Sequence, residues 1–117
     1  MNRRSIFRCA GVLFYLKGLK LNRLAIEYSK INGSGLIHLI DMPLIDLKLN
    51  YTNIIDENLI HIKNHKLEHL QLNKCNKITA KCLTLFESMP LESLYLYNCN
   101  NIKKKDTLFL KNIKIEI

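Results

Sequence analysis

Leu67-Glu68-His69-Leu70-Gln71-Leu72-Asn73-Lys74-Cys75 is the stretch that decides the fold. Leu70 and Leu72 alternate with His69, Gln71 and Asn73, the period of a strand with one buried face. The same spelling, Leu-x-x-Leu-x-Leu, recurs at Leu21/Leu24/Ile26, Leu44/Leu47/Leu49 and Leu91/Leu94/Leu96, with first positions 23, 23 and 24 residues apart. Eight residues after each first position stands a small or thiol side chain: Ser29, Thr52, Cys75 and Cys99. A second apolar pair begins eight residues before each strand, at Leu13/Leu16, Leu36/Leu39, Leu59/Ile62 and Leu83/Phe86. Its i, i+3 spacing suits one side of a short helix.

Each unit is therefore a strand, a turn and a helix, too small to bury its own apolar face. Stacking buries it, with a parallel sheet on the concave side and helices on the convex side. The expectation is a single α/β domain over residues 1–117, with a sheet of four to five strands. Residues 1–20 form a basic leader and incomplete first unit, with Arg8–Lys17 as its helix. Full units follow at 21–43, 44–66, 67–90 and 91–112, and 113–117 is a terminal strand. A buried Leu contributes about 1.5–3 kcal/mol, and such a stack needs about three units before it is stable. The pattern predicts a stack open at both ends.

The run from Leu67 to Leu83 and the segment Leu91–Ile102 resemble the cysteine-containing class of leucine-rich repeats, which pairs a strand with a Cys and then Ile-Thr-Asp before its helix. Ile78-Thr79-Ala80 lacks that Asp, whereas Ile55-Asp56-Glu57 keeps an acid there. Such repeats are known from F-box substrate receptors and from a mitochondrial group that includes ATP synthase subunit s and the distal membrane-arm assembly component of complex I. Small size, the basic start and the closing units look more like the mitochondrial group. That likeness implies a non-catalytic accessory or assembly subunit of a large complex, ATP synthase or a respiratory complex first, bound to other protein subunits. A mitochondrial ribosome subunit is the alternative, and an F-box-type receptor, which would be cytoplasmic, is another. Residues before Leu21 are too few for an F-box.

Charge supports the same direction. The net charge is +8, and six basic residues precede the first acid, Glu27. An acid-free, Arg-bearing start is how mitochondrial transit peptides read. The apolar run Cys9–Leu16 is too short to span a membrane, which takes about 20 residues. Two basic clusters, Arg3, Arg4, Arg8 and Lys103, Lys104, Lys105, suit contact with phosphates of anionic lipid or ribosomal RNA.

Catalytic chemistry is not expected. His38 and His61 share one place beside the helix core, His65 falls in a loop and His69 points from the sheet, with no acid at fixed spacing to orient any of them. Nucleophile elbows and phosphate-binding glycine loops are absent from the sequence, so no small-molecule substrate and no cofactor is expected. Cys75 and Cys99 offer two stacked thiols at a buried turn, short of the four ligands zinc requires, and no metal site is expected. The thiols read as reduced rather than as a disulfide framework.

What remains is a binding surface. Alternation places Arg23, Ala25, Glu27, then Asp46, Lys48, Asn50, then His69, Gln71, Asn73, then Ser93, Tyr95, Tyr97 on the concave face, with Tyr51 near its edge. Arg23, Asp46, Lys48, His69, Gln71, Tyr95 and Tyr97 are the candidate partner contacts, since Tyr and Arg anchor interfaces. Ile113, Ile115 and Ile117 alternate along an uncapped edge that offers backbone groups to another chain, and a partner subunit is expected to cover it. A fold held by apolar burial and free thiols should melt at the same temperature with or without chelator and reductant, as followed by circular dichroism; a drop with either would reveal a metal or a disulfide.

Overall fold

The computed structural model describes residues 4–7, 16–28 and 34–117. Six strands make one sheet: β1 (Arg4–Phe7), β2 (Arg23–Ile26), β3 (Asp46–Lys48), β4 (His69–Gln71), β5 (Ser93–Tyr95) and β6 (Lys114–Glu116). They lie side by side in chain order, and every neighbouring pair is parallel. The four leucine-spelled strands pair in the phase the spacing predicts, which sets Leu24, Leu47, Leu70, Leu94 and Ile115 in one row. Leu24 through Leu94 in that row are at most 2% exposed.

Parallel neighbours require a crossover between them, and here it is short. The connections carry 3₁₀ segments at Ser34–Leu39, Asp56–Ile62, Ala80–Cys82 and Lys104–Thr107, and the third runs on into a four-residue α-helix, α1 (Leu83–Phe86). The expected convex helices are thus mainly 3₁₀ turns. Geometry explains this: a 3₁₀ turn has three residues and rises about 2.0 Å per residue, so i and i+3 lie directly above one another. Leu36/Leu39 and Leu59/Ile62 have that spacing, and both pairs are fully buried against the sheet, as are Leu83 and Phe86. With Leu49, Leu72, Leu96, Ile54 and Ile78 they form one continuous apolar layer.

The expected four to five strands become six because β1 joins the sheet, pairing Arg4 with Arg23 and Ser5 with Leu24. The sequence hides this strand twice: its offset from β2 is 19 residues rather than 23, and a serine stands in the leucine row. Residues 8–15, most of the expected leader helix Arg8–Lys17, lie outside the described residues. Its end is a turn, closed by the Leu19 N–H on the Leu16 carbonyl at 3.0 Å, with Leu16 buried. Gly18, with φ of +90°, leaves that turn in a conformation a side chain would resist.

Replacing Leu70 or Leu94 by Asp sets a carboxylate inside the apolar layer at a cost of several kcal/mol. Either variant should fail to show a cooperative melt, whereas Leu108→Asp, at a position 65% exposed, should melt like the wild type.

Candidate functional site

The ends of β3 and β4 are tied to the next unit by side-chain amides. Asn50 is buried; its Nδ2 donates to Glu27 Oε1 at 3.1 Å and Gln71 Oε1 at 2.9 Å, and its Oδ1 accepts the Asn73 N–H at 2.8 Å. Asn73 Oδ1 does the same one unit on, accepting the Tyr97 N–H at 2.8 Å. Asn50 was expected on the open face, and the structure makes it a tie instead. Ala25 and Ser93 are likewise buried. A methyl group is too short to reach past its neighbours, and the Ser93 hydroxyl lies under His69, whose Nδ1 is 2.7 Å away.

One residue beyond this ladder the chain turns through left-handed backbone in four successive units. Tyr28, Tyr51, Lys74 and Asn98 have φ of 55°, 61°, 58° and 59°. Their backbones are held in place, with Tyr28 N–H on the Asn50 carbonyl at 3.1 Å, Tyr51 N–H on Asn73 at 2.8 Å and Lys74 N–H on Tyr97 at 2.8 Å. Asn tolerates this region, but a tyrosine there is unusual, and the conformation costs about 1–2 kcal/mol for an ordinary side chain. The repeat brings the rings together: Tyr28 stacks on Tyr51 with centroids 4.3 Å apart, and Lys74 Nζ sits 5.3 Å from the Tyr51 centroid. Both rings remain open, at 58% and 39% exposure. Tyr28 and Lys74 were not singled out from the sequence, although a constant offset of seven from each first leucine would have aligned them with Tyr51.

The other expected contacts fall in two rows across the strands. Arg23, Asp46, His69, Ser93 and Lys114 form one; Lys48, Gln71, Tyr95 and Glu116 continue the other. Arg23 and Tyr97 are exposed, and Asp46, Lys48, His69, Gln71 and Tyr95 are half-buried. Tyr97 packs edge-on against Tyr95 at 6.4 Å, and its hydroxyl donates to Glu116 Oε2 at 2.9 Å. That carboxylate raises the Tyr97 pKa above the usual phenol value.

A cluster unforeseen in the sequence also lies here. Glu68, His69 and Glu92 bring three donor atoms within 4.8 Å of one another. His69 Nε2 is 3.7 Å from Glu92 Oε2, and the group is open to solvent. Glu68 and Glu92 each follow a first leucine, the one signal that would have paired them.

Among the described residues, the expected basic residues are split between the two edges of the sheet. Lys103, Lys104 and Lys105 are exposed beside β6, and Arg4 is in β1 at the opposite edge of the sheet. Arg3 and Arg8 lie outside the described residues. Ile113, Ile115 and Ile117 are half-buried, packed against the core rather than standing free. His65, expected in a loop, is buried; its Nε2 donates to the Leu39 carbonyl at 2.6 Å, and its Nδ1 has no partner. It borders a cleft lined by Ile40, Met42, Pro43, Ile45 and Glu68. An imidazole held in this way tethers adjoining units.

The expected turn column is present. Cys75 Sγ donates to the Leu49 carbonyl at 3.1 Å and lies 3.4 Å from Thr52 Oγ1; Cys99 Sγ donates to the Leu72 carbonyl at 2.9 Å. Each thiol thus caps a carbonyl of the preceding unit. Ser29, the first member of the column, lies outside the described residues. Burial pushes the Cys75 thiol up and raises Cys99 from 9.0 to about 11. Cys82, the last residue of the Ala80–Cys82 3₁₀ segment, is raised further, by burial first and then by the Asp56 carboxylate.

No protein-family model matches the chain, and no curated protein matches it. Among the described residues, no helix is long and apolar enough to cross a membrane.

The thiols set an alkaline limit. Unfolded, they ionise near 9; folded, they keep their protons to higher pH, so the unfolded state binds fewer protons above 9. Their contribution is complete below pH 9 and is lost as pH rises, through about 11 for Cys99. Denaturant melts between pH 8 and 11 should fall more steeply for the wild type than for Cys75→Thr/Cys99→Thr, which copies the Thr52 arrangement. Parallel pH profiles would remove the thiols from the account.

Proposed function

We propose that this chain is a short leucine-rich-repeat solenoid serving as a non-catalytic protein-binding module, an accessory or assembly subunit of a larger complex. The observation that carries this reading is the Tyr28–Tyr51 stack with Lys74 at its rim. Two large rings are held open to water on a backbone conformation that costs stability. For the fold alone, glycine or asparagine would serve better at both places. Covering the rings with a partner rewards that cost, and tyrosine is among the residues that dominate interface energies. Beside the rings, Arg23, Asp46, Lys48, His69, Gln71, Tyr95 and Tyr97 supply mixed charge and hydrogen-bonding groups, the composition of an interface rim.

Assignment to a mitochondrial assembly, an ATP synthase or respiratory complex, rests on the Arg-bearing start and on the likeness of the closing units to the subunit-s group. Those features recommend looking first among inner-membrane complexes.

The test uses Tyr28→Gly/Tyr51→Gly in the full chain, tagged and purified from its own cells. Glycine takes φ near +60° without penalty, so the melting temperature should hold or rise. Co-purification of partner subunits should fall at least tenfold, the loss of about 1.4 kcal/mol or more that a hot-spot residue implies. Undiminished co-purification would remove the tyrosine column as the docking surface.

A further inference from the structure

The segment Ile113-Lys114-Ile115-Glu116-Ile117 reads the same in either direction except that Lys and Glu exchange. In β6 the backbones of Lys114 and Glu116 face β5: the Lys114 N–H donates to the Glu92 carbonyl at 2.9 Å, and the Glu116 carbonyl accepts from the Leu96 N–H at 2.7 Å. Backbone groups of successive strand residues point to alternate edges, so the N–H and C=O of Ile113 and Ile115 point away from β5. Among the described residues, no strand meets them there. An edge of this kind is a template for another strand.

We infer that β6 pairs antiparallel with β6 of a second copy, about a two-fold axis through Ile115, and that the protein dimerises through this edge. The inference stands apart from the tyrosine column and does not depend on it. Three constraints select the register. With Ile115 opposite Ile115, outward groups face outward groups, and the pair exchanges two N–H···O=C bonds. A slip of one residue sets Ile115 against Lys114 or Glu116, whose backbone groups are already bound to β5. A slip of two sets Lys114 against its own copy or Glu116 against its own copy, and like charges directly opposite are unfavourable. Only the central register places Lys114 opposite Glu116 twice. It also sets Ile113 opposite Ile117, two side chains on the face that packs against the core.

Head-to-tail growth is the competing arrangement, in which β6 takes the place before β1 of the next copy. Continuing the observed register would align Lys114 with Arg4, two positive residues. The antiparallel pairing closes on itself, as an isologous contact does, whereas the head-to-tail one extends into a filament. A contact this short belongs at the weak end of interface sizes.

Sedimentation equilibrium on the full chain, over roughly 1–500 µM, reads the outcome. The average mass should climb from 13.7 kDa towards twice that value and stop. Ile115→Pro removes an outward N–H and no bond to β5, so it should stay monomeric throughout. Lys114→Glu should also be monomeric, because it sets a second carboxylate directly opposite Glu116 of the other copy. The double exchange Lys114→Glu/Glu116→Lys should restore dimers to within about threefold of the wild-type constant. Ile115 packs against the core, so in circular dichroism Ile115→Pro should melt lower but still cooperatively. The two charge variants, which change only the surface contacts of Lys114 and Glu116 with each other and with Tyr97, should melt within a few degrees of the wild type. A monomeric wild type, a mass rising past the dimer, a dimeric Ile115→Pro or a charge exchange without rescue would each overturn the inference.

Discussion

No unit of this protein can bury its own leucines, and everything else in the structure follows from that shortage. Leu47, Leu70 and Leu94 are each covered by the units on either side, and the 3₁₀ segments between the strands run for only one or two turns. The apolar row therefore fixes strand register before any hydrogen bond does, because a slip of one residue would turn every leucine to water. Polar ties come second and follow the same period. Asn50 and Asn73 hold the strand ends, Thr52, Cys75 and Cys99 cap carbonyls at the turn, and Asp56 accepts both the N–H and the hydroxyl of Thr79 at the next 3₁₀ start. Most of these bonds join residues 23 to 27 apart, one unit or slightly more.

Features that repeat in kind were legible in the sequence, and features that repeat only in place were not. Leucine at position four of each unit, with leucine or isoleucine at position six, names itself, so strand phase, the buried helical pairs and the thiol column could be written down from the residues. The left-handed column is occupied by Tyr28, Tyr51, Lys74 and Asn98, four side chains with nothing chemical in common. Its constancy lies in the backbone, which side-chain pattern does not display. β1 escaped for the opposite reason: the place exists, but Ser5 fills it, at a shorter spacing. Helix type was left open by the spacing, and i, i+3 pairs fit a 3₁₀ turn more closely than an α-helix.

The surface residues divide along the same line. Alternation placed Lys48, His69, Gln71 and Tyr95 on the outer face correctly, since strand side chains point to opposite sides in turn. It failed at Asn50 and Ser93, where short polar side chains find partners within the sheet rather than water. Whether a polar residue ties or displays depends on what its neighbour one unit away offers. That neighbour is visible only once the units are stacked.

The strict chain order of the six strands has a mechanical corollary. Force applied to the two ends of the chain must pass through every unit in series, because no strand bridges over another. Each interface resists with its own few backbone bonds and leucine contacts, and a released unit leaves the leucines of its neighbour covered on one side only. A unit of 23 residues, once released, extends by roughly 80 Å at about 3.5 Å per residue. Under tension the molecule would lengthen in increments of that size, a ratcheted extension rather than a single rupture.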